Sequence, residues 1–83
     1  MIGPEGPRKI AQGLLSGRPF DLFVDSEGNI LVATDQGEVQ IIDWREGRVV
    51  GTLKGMENPR GVVMDGEGRV IVADCDAHQV HVY

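Results

Sequence analysis

Aromatic side chains are nearly missing from this sequence of 83 residues: one Trp, one Tyr and two Phe. Its interior must therefore be built from aliphatic residues, and the Val, Ile and Leu that dominate the apolar fraction favour strands. Cysteine is limited to Cys75, which excludes an internal disulfide. A reduced thiol in a cytosolic chain is the plain reading, an intermolecular bridge the other. Basic residues are outnumbered, 8 against 13 acidic ones, for a formal net charge of −5. Such a surface repels phosphate, so neither nucleic acid nor an anionic membrane is an expected partner. Hydrophobic runs are short, and none has the length needed to span a bilayer. The first nine residues have no apolar centre and do not read as a signal peptide. Residues 1–9 are expected to form a flexible leader, and the cytoplasm is the default location.

What the sequence does have is glycine, 12 residues of it, mostly beside Asp, Glu, Asn or Arg as in turns. A hydrophobic content of 41% is normal for a folded chain. The strongest signal is a repeat. Pro19-Phe20-Asp21-Leu22-Phe23-Val24-Asp25-Ser26-Glu27-Gly28-Asn29-Ile30-Leu31-Val32-Ala33-Thr34 aligns without a gap on Pro59-Arg60-Gly61-Val62-Val63-Met64-Asp65-Gly66-Glu67-Gly68-Arg69-Val70-Ile71-Val72-Ala73-Asp74. Identities fall at Pro19/Pro59, Asp25/Asp65, Glu27/Glu67, Gly28/Gly68, Val32/Val72 and Ala33/Ala73. Glu38 to Ile42 then matches Gln79 to Tyr83 with a one-residue shift.

A period near 40 residues with short strands fits four-stranded propeller blades. Strand A is expected at Phe20 to Val24 and again at Gly61 to Met64. A tight turn follows each copy, opened by Asp25 or Asp65 and closed by Gly28 or Gly68. Strand B runs Asn29 to Ala33 and Arg69 to Ala73; strand C runs Glu38 to Asp43 and Gln79 to Tyr83. The first outer strand D is Arg48 to Lys54. Strand B is apolar throughout, where a strand with one wet face would alternate, so both its faces must be covered. A small up-and-down barrel gives no reason for such a repeat.

These residues resemble the NHL repeat and its YVTN-type relatives. Pro59-Arg60-Gly61-Val62-Val63-Met64-Asp65 and Val72-Ala73-Asp74 match that pattern closely, and Val49-Val50-Gly51-Thr52-Leu53 resembles the hairpin between strands C and D. The first copy departs from it: Asp21 stands where the pattern prefers Gly, and Thr34 where it prefers Asp. The resemblance covers residues 10 to 83 and implies an all-β propeller fold rather than one activity.

Two blades leave apolar surface open on both flanks. The chain therefore reads either as a piece of a longer propeller or as a self-assembling subunit. Assembly is favoured by the strand tally: residues 10–16 as an outer strand donated to a neighbour, 19–54 as a first blade, and 59–83 as a second blade lacking its outer strand. The resemblance implies six blades, hence a homotrimer.

The D-to-A and B-to-C connections share one end of a propeller, the usual ligand side. Here they carry Arg18, Asp21, Asp35, Gln36, Arg60, Asp74, Asp76 and His78, the candidate ligand-binding set. Asp21, at the start of an innermost strand, is a candidate for holding a divalent cation in the central channel once copies converge; its alternative role is a turn cap. Cys75, His78 and His81 are spaced like metal ligands but fall on a loop and a strand. Asp74 reads as a loop-closing carboxylate, with Arg18 and Arg60 as ion-pair partners for it or as contacts for an anion. Trp44 either anchors a partner or packs locally. No Ser/His/Asp set and no phosphate loop is present. The expected function is a binding scaffold for a protein or small ligand, without a resident cofactor. The alternatives are a metal-dependent lactonase- or lyase-like propeller enzyme, and a fragment or engineered two-blade unit whose activity is assembly alone.

Overall fold

The computed structural model describes residues 15–83, all strand, turn or loop, with no helix among them. Residues 10–14, most of the proposed donated strand, and the leader 1–9 lie outside the described residues; Leu15 and Ser16 are not in a strand. Seven strands follow: β1 Pro19–Val24, β2 Asn29–Thr34, β3 Val39–Asp43, β4 Arg48–Leu53, β5 Pro59–Met64, β6 Val70–Asp74 and β7 Gln79–Val82. They form two antiparallel sheets in simple sequential order, β1-β2-β3-β4 and β5-β6-β7.

Local chemistry sets the turns. Asp25 Oδ1 accepts the N–H groups of Glu27 and Asn29 at 2.9 and 2.8 Å. Asp65 does the same for Glu67 and Arg69, both at 2.9 Å. Each turn ends on a glycine at positive φ, 86° at Gly28 and 83° at Gly68, a conformation that costs a side chain about 1–2 kcal/mol.

The two sheets pack face to face. Alternation along each strand points Leu31, Ala33 and Val39 of the first sheet, with Phe23, Ile41 and Leu53 beside them, at Val62, Val70 and Val72 of the second, flanked by Met64 and capped by Met56. Strands β1 and β2 both lie against β5, so the first strands of the two copies come together.

The same alternation explains the outer flanks. On the first sheet it turns Leu22, Val24, Ile30, Val32, Ile42 and Val49 away from the second, with Leu15 lying on Val32 and Ile42. On the second sheet it turns Val63, Ile71, Ala73, Val80 and Val82 away from the first. Repeat-related residues thus meet opposite fates: Val39 is 0% exposed and its counterpart Val80 66%.

Candidate functional site

Both copies of the repeat begin with the same irregularity. Register shifts between Pro19 and Asp21 in β1, and between Pro59 and Gly61 in β5, leaving Phe20 and Arg60 as the extra residue of a β-bulge. A bulge re-aims its side chain. Here the two re-aimed side chains meet: the Arg60 guanidinium carbon lies 4.2 Å from the centre of the Phe20 ring, a cation–π contact. Phe20 remains 38% exposed. Sequence reading missed this pair because a ladder without bulges sends the two residues elsewhere.

Asp21 follows the first bulge. Its Oδ2 accepts the backbone N–H of Val62 at 3.1 Å, so the carboxylate spans from one sheet to the next. Gly61, its repeat counterpart, would bring a Cβ to 3.8 Å from that same oxygen. Asp21 therefore bridges the two sheets rather than capping its own turn. Within one chain, no group of three or more His, Cys, Asp or Glu able to hold a metal ion occurs among the described residues.

Asp74 is buried, 2% exposed, and fully occupied. Its carboxylate accepts the N–H groups of Glu57 and Asn58, each at 2.9 Å, and lies 3.1 Å from His81 Nε2. Burial pushes its pKa up, but the N–H groups of Asn58 and Glu57, the His81 ring and the Ala77 N–H outweigh that and hold it at about 2. Neither arginine pairs with it, since Arg60 lies on Phe20 and Arg18 is not among its partners. Asp74 thus ties down the segment joining the sheets.

The first copy solves the same problem with different groups. Where Asp74 would stand is Thr34, whose hydroxyl is 3.0 Å from that of Ser16. The carboxylate has moved one residue on: Asp35 Oδ1 accepts the Arg18 N–H at 2.9 Å, and Gln40 Oε1 accepts the Ser16 N–H at 2.7 Å. The backbone partner is kept in both copies, Asp35 N–H to Arg18 C=O at 2.9 Å and Cys75 N–H to Asn58 C=O at 3.0 Å. Gln36 Nε2 donates to Asp35 at 3.3 Å. Gln40 was not singled out by sequence, and His81 only as a spaced metal ligand; the one-residue shift that relates them was the available signal.

The remaining candidates lie on the surface of this end. Arg18 and Gln36 are exposed, as are Cys75, Asp76 and His78 on the β6–β7 turn. His78 holds a positive φ of 53°. His81 is turned toward Asp74 and stacks on Tyr83, with ring centroids 6.1 Å apart, so the Cys75, His78 and His81 spacing does not converge. Trp44 packs over the first turn: a Cβ on Gly28 would come within 2.6 Å of its indole nitrogen.

Grooves open at two places among the described residues. One of about 300 Å³, at the opposite end, lies between the first turns of the two copies and includes Phe23, Met64, Asp25 and Asp65. Both aspartates hold their own turns. The other, about 230 Å³, lies on the outer flank of the second sheet beside Val63, Ile71 and Val80.

Comparison with known proteins agrees with this geometry. The family described as NHL repeat matches residues 56–83. A mouse (Mus musculus) protein, NHL-repeat-containing protein 4, is 32% identical over 87 aligned residues covering all of this chain. The chain spans about half that relative's length, 55%. No solved structure matches. Two sheets with the same turns, the same bulge and the same backbone bonds 40 residues apart, the second of them overlapping the matched segment, show that this chain carries an NHL-type repeat.

Proposed function

We propose that this chain is a β-propeller-type interaction scaffold: it assembles with copies of itself and presents the end bearing the β2–β3 and β6–β7 turns to a protein or small ligand. A six-bladed ring of three chains is the expected form, following the resemblance to NHL propellers. The observation that carries the reading is the packing of two repeat-related sheets face to face while each keeps an apolar outer flank. Apolar patches of this kind mark interaction surfaces.

On the ligand side, Arg18, Gln36, Arg60, Asp76 and His78 supply exposed polar groups, with Asp21 and Asp35 beside them at the strand and turn starts. The Arg60–Phe20 stack offers an aromatic face and a pre-oriented guanidinium, the residue types that anchor interfaces. Static light scattering of the 83-residue chain tests assembly: three times the 9.0 kDa of one chain is expected. A monomer at 100 µM overturns the self-assembling reading. A peptide array tests the binding end. Arg60→Ala and Phe20→Ala should lose the captured peptides, and Glu67→Ala, at the opposite end, should keep them. Equal loss in all three would place binding elsewhere.

A further inference from the structure

The two outer flanks of this chain are copies of the two faces already packed together inside it. Shifting Phe23, Leu31 and Ala33 by 40 residues gives Val63, Ile71 and Ala73, and shifting Val39 and Ile41 by 41 gives Val80 and Val82. The former set is the first sheet's half of the buried contact; the latter is the open flank of the second sheet. On the other side, Leu22, Val24, Ile30 and Val32 become Val62, Met64, Val70 and Val72, the second sheet's half of the same contact. Exposure follows the pairing. Leu22 is 58% exposed against 1% for Val62, and Leu31 and Ala33 are 0% exposed while Ile71 is half-buried and Ala73 exposed. Leu15 lies on Val32 and Ile42, as Met56, from the segment leading into β5, lies within the buried contact.

We infer that the open flank of the second sheet takes, as its occupant, the Leu22–Val24–Ile30–Val32 flank of a second copy of this chain, head to tail. This inference rests on the self-assembling reading above. Unlike flanks meet, so the contact is heterologous and propagates until a ring closes. The bulge residues support the order. In the new seam Phe20 of the second copy takes the place of Arg60 and stands beside the first copy's own Arg60, so an Arg–Phe pair recurs at every seam. One feature differs between the two kinds of seam. Within the chain Asp21 accepts the Val62 N–H; between chains Gly61 faces the equivalent Leu22 N–H and has no acceptor to offer. The between-chain seam is thus the weaker one, the place where the assembly opens.

The test uses two variants of the full chain, Val63→Lys with Val80→Lys on one flank and Leu22→Lys with Val24→Lys on the other. All four positions are largely exposed, and far-UV circular dichroism checks that each variant keeps the wild-type fold. At concentrations where the wild type is assembled, each variant alone should have the mass of one chain. An equimolar mixture should give a 1:1 dimer and nothing larger, because only one intact seam is left. Gly61→Asn in the wild-type background should lower the dissociation constant by roughly fivefold, the size of one net hydrogen bond. A wild type that stays monomeric overturns the self-assembling reading and this inference with it. A wild type that assembles while either paired variant still assembles alone, or while the mixture stays monomeric, overturns the head-to-tail seam and leaves assembly standing. An unchanged constant for Gly61→Asn overturns the assignment of the weak seam.

Discussion

The carboxylate of Asp21 accepts the backbone N–H of Val62, 41 residues later, across a distance of 3.1 Å. Both groups belong to the first strand of their sheets, whose outer edges would otherwise present unpaired backbone donors. A side chain thus does between sheets what ladder bonds do within them. Asp21→Ala should lower stability by about 1 kcal/mol, the usual net size of one hydrogen bond. Asp21→Asn keeps an acceptor oxygen and should be close to neutral. Urea unfolding of both variants checks this, and equal losses would show that charge rather than acceptance matters.

Gly37 lies where a turn of the first sheet comes up against the segment that enters the second. Its φ is 76°, and an added Cβ would collide with the carbonyl oxygen of Met56. Gly68 has a similar φ of 83° with open space around it. Alanine at either position is expected to cost about 1–2 kcal/mol for the backbone. Gly37→Ala should lose a further ~1–3 kcal/mol to overpacking. Thermal melts of the two variants separate the contributions; equal shifts would mean that the turn moves aside freely.

Acid should loosen the joint between the sheets through Asp74. Its folded pKa of about 2 lies below the ordinary 3.8. Its contribution is therefore complete above about pH 4 and is lost as pH falls from there through 2. Asp74→Asn should be less stable at neutral pH and should show a smaller further loss between pH 4 and 2. Melting temperatures against pH check this, and parallel curves for variant and wild type would reject it. Asp65 is also held below the ordinary value, chiefly by the Arg69 N–H and side chain, so Asp65→Asn should remove a second part of the same acid sensitivity.

His78 occupies a left-handed position at φ 53°, where most side chains are strained. His78→Gly relieves that strain but loosens the unfolded chain, so a gain below about 1 kcal/mol is expected. His78→Val, β-branched, should lose about 1–2 kcal/mol. Chemical denaturation distinguishes the two signs.

Strand positions were legible from sequence because they depend on neighbours along the chain. Strand B was placed at Asn29 to Ala33 and is observed at Asn29–Thr34; strand D was placed at Arg48 to Lys54 and is observed at Arg48–Leu53. The Asp25 and Asp65 turns follow from the same local chemistry. Phe20 and Arg60 were not legible as a pair, because a single extra residue in each strand decides where their side chains point, and nothing in the alternation announces a bulge.

The amino-acid order by itself determined the repeat, the turns and which faces are apolar, since each depends on spacing and on bonds spanning two to four residues. Tertiary structure alone decided which carboxylate serves which amide: Asp74 in one copy, Asp35 with a Thr34–Ser16 hydroxyl pair in the other, and Asp21 across the gap between sheets. Those choices join residues 16 to 41 positions apart. They form only once the strands are paired and, for Asp21, once the sheets are packed, because only then do these amides come within reach.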